Sequence, residues 1–347
     1  MRTEDFNFEL PEELIAQYPT QERGASRLFV LERASGRRIP STVADISSHI
    51  EPGTLMVFND SKVRKARLFG QALDNGAKVE FLLLSAASGE GNVVGGTDRW
   101  LCMCSKARRQ RIGREYLFPK GVTGRIEAER GENKILSFAQ PVGDAYLDEN
   151  GHMPLPPYIR RGDSSLDESR YQTVYARQTG SAACPTAGLH FTQGILDSLA
   201  SKGVETAWVT LHVGLGTFLP VRTEKIEDHV MHEEWYQIPA STAQAVTKAK
   251  AEGRKVLAVG TTSLRTLESA WEDGGLPEKA AKTGIFIYPG YSFKAVDSLF
   301  TNFHTPKSTL LMLVSAFAGR EAVLSAYGEA ISKGYRFFSY GDGMLIL

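Results

Sequence analysis

Cysteine is scarce in this 347-residue chain, with three copies at Cys102, Cys104 and Cys184. An odd, sparse set fits a reducing cytoplasm better than a disulfide scaffold. Cys102-x-Cys104 lacks the spacing of a zinc site, and strand alternation places both on one face as small apolar fillers. Net charge is missing altogether: 40 basic and 40 acidic residues cancel. No global field therefore attracts a polyanion, and a nucleic-acid partner has to be held by a local patch. Long apolar runs are absent too. The longest, Leu310–Ala318 with Ser315 inside it, falls well short of the ~20 residues that span a bilayer. The acidic start MRTEDFNFELPEEL has no apolar h-region, so neither a signal peptide nor a membrane partner is expected, and a cytoplasmic location is. There is no Walker A string and no G-x-G-x-x-G fingerprint, which leaves nucleotide-triphosphate and Rossmann readings without support. No fixed-period repeat or low-complexity tract is visible. What is present is ordinary: 42% hydrophobic and 23% charged residues, enough chain for a full core and two domains.

Two textures alternate. Residues 1–60 mix a short helix at Pro11–Gln17 with strands at Leu28–Leu31 and Leu55–Phe58. Between 61 and 150 short strand-like runs follow one another, at Ala66–Gln71, Lys78–Leu84, Arg99–Cys104, Arg114–Phe118, Thr123–Ala128 and Lys134–Ala139. Glycine or charged turns separate them and no amphipathic helix intervenes, the pattern of a small antiparallel β-barrel. Met153-Pro-Leu-Pro-Pro157 then breaks the chain, and a polar stretch runs to Arg170. From 171 onward helices and strands alternate. Thr192 caps a helix that Gly203 stops, and Val204–Val213 alternates as a strand. Ser241 caps the next helix, ended by Gly253, and Val256–Val259 is a continuous apolar strand. A helix over Leu264–Trp271, a strand at Ile285–Tyr288, helices at Leu310–Ala318 and Glu321–Ser332 and a strand at Arg336–Tyr340 complete the reading. The expected fold is an α/β body with a largely parallel sheet, built from 1–60 and 151–347, with a small antiparallel β-barrel inserted over 61–150. The alternative is a barrel region that merely extends the sheet edge.

Four polar, glycine-punctuated strings stand beside apolar segments where a packed core has no use for them. They are Pro185–Phe191, His212–Phe218, Gly260–Arg265 and Thr301–His304. Gly260-Thr261-Thr262-Ser263 opens a helix after a buried strand, so its free N–H groups suit a carboxylate or phosphate; a plain hydroxyl N-cap is the bland alternative. Arg265, one turn in, can clamp a carboxylate or form a surface salt bridge. His212 ends a strand whose face it shares with Trp208 and Thr210, and His190 precedes the Thr192 cap. Each is a candidate for chemistry or a hydrogen-bonded structural residue. Asp228-His229-Val-Met-His232-Glu233 lacks the His-Glu-x-x-His spacing of a metal site, and acid–base work suits it better. Two basic runs contain no acid: Lys62, Arg64, Lys65 and Arg67, then Arg99, Lys106, Arg108, Arg109, Arg111 and Arg114. They read either as solvated faces or as a phosphate-contact surface on a neutral protein.

The strings together, with Phe58-Asn-Asp-Ser-Lys-Val63, Leu155-Pro-Pro-Tyr-Ile159, Arg170-Tyr-Gln-Thr-Val-Tyr-Ala176, Phe286-Ile-Tyr-Pro-Gly290 and Tyr335–Asp342, closely resemble the S-adenosylmethionine:tRNA ribosyltransferase-isomerases of queuosine biosynthesis. The departures are Cys184 and Gly343, where alanine is common, and Thr305, where leucine is common. The resemblance implies transfer and isomerisation of the ribosyl part of S-adenosylmethionine onto 7-aminomethyl-7-deazaguanine at the tRNA wobble position. Epoxyqueuosine-tRNA forms, and adenine and methionine leave. No cofactor or metal is implied, S-adenosylmethionine being a consumed substrate. The tRNA anticodon arm is the macromolecular partner of a monomer or weak homodimer. His190, His212, Asp228, His232 and His304 are the implied proton-transfer groups. Thr186, Gly188, Phe191, Gly214, Gly216, Thr217, Phe218, Thr261, Thr262, Arg265, Tyr288, Asn302 and Lys307 are the implied substrate contacts. Lys62, Arg64, Arg67, Lys106, Arg108, Arg109 and Arg111 are expected on the tRNA. A metal-dependent hydrolase built on the histidines, a non-catalytic RNA-binding module and an ordinary methyltransferase are the competing classes.

Overall fold

Continuous apolar segments decide where the sheet is buried on both faces. In the computed structural model, which describes residues 1–88, 96–214 and 221–347, the strands of the body are β1 (Arg27–Leu31), β2 (Arg38–Thr42), β3 (Leu55–Asn59) and β4 (Ser61–Val63). The next six, β5 (Arg67–Ala72), β6 (Lys78–Ala86), β7 (Thr97–Cys104), β8 (Glu115–Leu117), β9 (Thr123–Arg130) and β10 (Asn133–Val142), belong to a barrel. After helices α1 (Asp144–Asn150) and α2 (Ser165–Arg170) come β11 (Gln178–Ser181), α3 (Gln193–Ser201), β12 (Glu205–Leu211), β13 (Glu234–Ile238) and α4 (Ala240–Ala251). The chain closes with β14 (Val256–Val259), α5 (Thr261–Ala270), β15 (Lys279–Thr283), β16 (Ser298–Asn302), α6 (Thr309–Ala318), α7 (Arg320–Ser332) and β17 (Gly343–Ile346).

Among the described residues the large sheet has the order β15-β13-β12-β3-β14-β16-β17-β1-β2. Its centre, β12-β3-β14-β16, is parallel, and antiparallel pairings flank it on both sides. Every residue of β3, β14 and β16 is buried, as expected of strands covered on two faces. Alternation divides them: Leu55 and Val57 enter one core with Leu264 and Leu267 of α5, while Met56 and Phe58 enter the other with Ile195 and Leu199 of α3. The result is a three-layer body.

The barrel closes in the order β10-β7-β6-β5-β8-β9, all antiparallel, so no strand edge is left open. Inward Leu68, Phe81, Leu83, Trp100, Cys102, Tyr116, Ile126 and Leu136 alternate with more exposed neighbours. Cys102 and Cys104 lie on that inner side as fillers. The chain enters at Arg67 and returns at His152, and the two residues exchange backbone hydrogen bonds of 3.3 and 2.8 Å.

Several elements differ from the sequence reading. Pro11–Gln17 keeps one 3₁₀ turn, Glu12–Leu14, because Ile15 and Ala16 extend to pair with Phe337. The helix expected to be capped by Ser241 starts at Ala240 after Pro239, whose fixed φ suits the entry. Ile285–Tyr288 and Arg336–Tyr340 form no strand. The second curls, with Phe338 at φ 72° and Asp342 N–H donating back to the Arg336 carbonyl. Gly343–Ile346 and Ser298–Asn302 take the sheet positions instead.

Asp167, fully buried, ties the α2 region to the C-terminal segment. It accepts from Arg161 (2.7 and 2.8 Å), Tyr340 Oη (2.7 Å) and Ser164 N and Oγ (2.9 Å each). Burial alone would raise its pKa, yet these donors hold it at about 2. A carboxylate depressed in the folded state stabilises the fold above the unfolded value and loses that contribution as pH falls through the folded one. Denaturant melts should therefore show stability dropping between about pH 4 and 2, and Asp167→Asn should be less stable at pH 7 with this acid step flattened.

Candidate active site

The polar turns sit where the parallel strands end. At the end of β3, Asn59 works as a clamp: its Nδ2 donates to the Leu211 carbonyl (3.0 Å), and its Oδ1 accepts from Leu211 N (3.1 Å) and Ser61 N (3.0 Å). The next residue, Asp60, is buried and accepts from Thr210 Oγ1 at 2.6 Å. Burial raises its pKa, against the hydrogen bond from Thr210 and the charge of Arg177. Asp60 was legible only as part of a resembling string; its position between β12 and β14 makes it an acid–base candidate in its own right.

At the end of β16, Asn302 organises a second group. Its Nδ2 donates to the Phe338 carbonyl (3.1 Å) and lies 3.0 Å from His190 Nε2, while its Oδ1 accepts from Thr186 Oγ1 (3.2 Å). The Phe338 carbonyl only accepts, so the amide nitrogen must face it and the same nitrogen donates to His190. His190 Nε2 is therefore unprotonated and its proton sits on Nδ1. Burial drives the His190 pKa down to about 4, in agreement with a neutral ring. His304, three residues past Thr301, shares a 2.9 Å hydrogen bond with the Thr301 hydroxyl, and burial lowers its pKa to about 3.

His212 follows β12. It stacks on Trp235 with centroids 5.0 Å apart, and among the described residues neither of its buried ring nitrogens has a hydrogen-bond partner. Burial and, second, the charge of Arg64 take its pKa to about 4. Between β12 and β16 lie β3 and β14, so His212 stands three strand spacings, about 14 Å, from the His190–His304 end. The first turn of α5 lies between them. Gly260, at φ 89°, starts the helix where a side chain would meet Ala187 and Thr262. Among the described residues no side chain caps the helix, and the buried Thr262 Oγ1 has no partner. Thr261 is buried beside it.

Other expected contacts fall elsewhere. Arg265 is neither a surface salt bridge nor a free clamp: it is buried, and its Nη1 pairs with buried Glu234, which also accepts from Gly214 N (2.9 Å). Its Nη2 is buried and has no partner among the described residues. Phe191 belongs to the core, edge-on to Phe58 and Phe300, and Gly188 is packed so close to Tyr175 that a Cβ would lie 2.2 Å from its Oη. Lys307 pairs with Glu4 at 2.6 Å. Tyr288 is half-buried against Phe286. Asp228 and His232 are exposed, unlike the buried His190 and His304. Gly216, Thr217 and Phe218 lie outside the described residues. Among the described residues no group of three His, Cys, Asp or Glu side chains is arranged to hold a metal ion.

The basic runs separate into engaged and free charges. Arg64 is buried on Asp144 (2.5 Å) and over Trp100, and Arg67 pairs with Glu80 (2.8 Å) and Asp163 (3.5 Å). Arg99 and Arg114 pair with Glu127 and Asp74. Lys62, Lys106, Arg108, Arg109 and Arg111 are exposed and, among the described residues, have no carboxylate partner. The last four ride on one loop pinned from inside by buried Gln110, which bonds to the carbonyls of Ser105 (3.0 Å) and Lys106 (3.3 Å) and accepts from Arg114 and Tyr116 (2.8 Å each).

The comparisons with known proteins agree with one another. A model of the queuosine biosynthesis protein family matches residues 3–346. An S-adenosylmethionine:tRNA ribosyltransferase-isomerase of Treponema denticola is 51% identical over 100% of both chains, and one of Citrifermentans bemidjiense is 49% identical over 99% of this chain and 98% of its own. The crystal structure of an S-adenosylmethionine tRNA ribosyltransferase from Thermotoga maritima shares 38% identity with a TM-score of 0.56, covering 99% of this chain and 100% of that one. With a family model matched over residues 3–346 and relatives of about half identical sequence aligned along the whole chain, this chain belongs to the queuosine biosynthesis protein family.

Proposed function

We propose that this enzyme transfers and isomerises the ribosyl moiety of S-adenosylmethionine onto 7-aminomethyl-7-deazaguanine at the wobble position of tRNA, releasing adenine and methionine. The observation that carries the reading is the row of buried polar groups along one sheet edge, from His212 through Asp60 and Thr262 to Asn302, His190 and His304. The same reading takes residues 61–150 as an inserted domain within a body of 1–60 and 151–347. It also takes S-adenosylmethionine as a consumed substrate without further cofactor, and the cytoplasm as the setting.

The chemistry sets definite demands. The attacking alkyl amine has a pKa near that of lysine, about 10, so its lone pair has to be freed by a base or by desolvation. The sulfonium acidifies the adjacent ribose 5′ carbon, from which a second proton leaves. Adenine departs only when protonated or hydrogen-bonded. Asp60, with its raised pKa, is suited to move a proton. His212, both of whose ring nitrogens are unpartnered among the described residues, is suited to accept one, and His190 offers an N–H through Nδ1. Among the described residues the buried Thr262 Oγ1 has no partner, and a substrate oxygen or ring nitrogen would satisfy it. The unpaired loop Lys106–Arg111 grips the anticodon arm through its phosphates.

Incubating the protein with S-adenosylmethionine and substrate tRNA should release adenine and methionine; S-adenosylhomocysteine as the product instead would overturn the reading. Asp60→Asn and His212→Asn should each lower kcat by about 10²–10⁴. Because His190, His212 and His304 are held below the ordinary imidazole value by burial, they stay neutral well under pH 6.5. The kcat/KM profile should therefore lack an acid limb at pH 6.5 from these rings. The triple variant Arg108→Glu, Arg109→Glu, Arg111→Glu should weaken tRNA binding and lower the slope of log Kd against log salt by about three, with S-adenosylmethionine affinity unchanged.

A further inference from the structure

Two arginines outside the row just described line a small open cleft whose wall includes His190. The cleft is formed by Arg23, Arg170, His190, Ser26 and the 339–341 turn, among others. Neither guanidinium has a carboxylate partner among the described residues. Arg23 donates only to main-chain carbonyls, through Nη1 to Gln172 (2.9 Å) and Leu189 (3.2 Å) and through Nη2 to Ser169 (2.8 Å). Arg170 makes one such bond, from Nη1 to Gln21 (3.1 Å). Three of the five N–H donors of Arg23 and one of those of Arg170 are engaged, so both retain donors. The carboxylates nearby are committed elsewhere: Asp342 to Arg27 and Arg336 N, and Asp167 to Arg161, Ser164 and Tyr340. Tyr340 has given its hydroxyl to Asp167 and takes no part as a donor.

Two cations held close together, partly out of water and with no counter-ion, repel each other. Burial and, second, Arg170 push the Arg23 pKa down, and burial does the same to Arg170. Such an arrangement is stable on its carbonyl anchors, but its charge is uncompensated, and an oxyanion relieves both the repulsion and the unfilled donors. His190 adds a third donor, since Asn302 fixes its proton on Nδ1.

We propose that Arg23, Arg170 and the Nδ1–H of His190 form a binding subsite for an oxyanion of a substrate, which seats that substrate beside the β16 end of the active site. The inference rests on the function proposed above. Two groups of that reaction have the required chemistry: a tRNA phosphodiester next to the wobble nucleotide, and the methionyl carboxylate of S-adenosylmethionine. The second gains weight from Arg265, whose pairing with Glu234 removes it as a free carboxylate clamp.

The test is Arg170→Gln in the full chain, since Arg170 holds a single carbonyl and its loss disturbs the fold least; Arg170→Lys, which keeps the charge and one donor, is the second variant. Three affinities are measured beside the melting temperature: for tRNA at several salt concentrations, for S-adenosylmethionine, and for its decarboxylated analogue. Loss of a charged contact should weaken one substrate about ten-fold in the glutamine variant and less in the lysine variant. If the anion is a phosphodiester, tRNA affinity falls and its salt slope drops by about one. If it is the carboxylate, S-adenosylmethionine binds more weakly while the decarboxylated analogue binds wild type and variant alike. A folded variant that binds all three as wild type does overturns the subsite. Adenine release by the wild-type protein separates the two failures: if it persists, only the subsite falls, and if it is absent, the proposed function falls with it.

Discussion

Four adjacent parallel strands ending at one edge constrain everything else in this molecule. Parallel strands end side by side, so whatever follows each of them is delivered to a common line. Here β3 is followed by Asp60, β12 by His212, β14 by Gly260 and the α5 first turn, and β16 by His304. The Asn59 clamp locks the end of β3 to β12 and keeps Asp60 in register with Thr210. With both sheet faces covered by helices and apolar cores, the strand-end edge is where polar groups collect.

Much of this was legible because it rests on local rules. The barrel strands alternate with period two, and the Thr192 cap, which accepts from Ile195 N at 3.2 Å, follows from hydroxyl chemistry. The short apolar run Val256–Val259 followed by Gly260 marks a buried strand turning into a helix. What could not be read locally was partnership. Arg265 looks like a ligand clamp in sequence, and only the fold brings Glu234, thirty-one residues away, against it. Phe191 beside a glycine-rich turn looks like a ring support, but its backbone geometry turns the ring into the core between Phe58 and Phe300. Arg64 and Arg67 read as free charges because their partners Asp144, Glu80 and Asp163 come from other elements. The aromatic segment Arg336–Tyr340 has strand-like composition, yet a left-handed turn at Phe338 carries it past the sheet.

Electrostatics separates the two halves of the molecule. In the body, buried charges are largely matched: Arg265 with Glu234, Asp167 with Arg161, Asp342 with Arg27. The buried imidazoles at the strand ends are kept neutral by desolvation. On the barrel, an exposed loop carries four cations that have no carboxylate partner among the described residues, while its backbone is held by Gln110. A protein with zero net charge thus carries exposed cations on a barrel loop and neutral imidazoles at the strand ends of the body.

The reciprocal hydrogen bonds between Arg67 and His152 bear on how the chain reaches this state. Strands β3 and β12 are neighbours in the sheet but lie on opposite sides of the barrel in sequence. Pairing them directly means closing a very long loop, which is slow and entropically unfavourable. Once the barrel has formed, its entry and exit points are already joined, and the detour from residue 67 to residue 152 shrinks to a single cross-strand step. The barrel thus shortens the effective contour between the two halves of the body, so a barrel-first folding order gives the parallel centre its most rapid route to assembly.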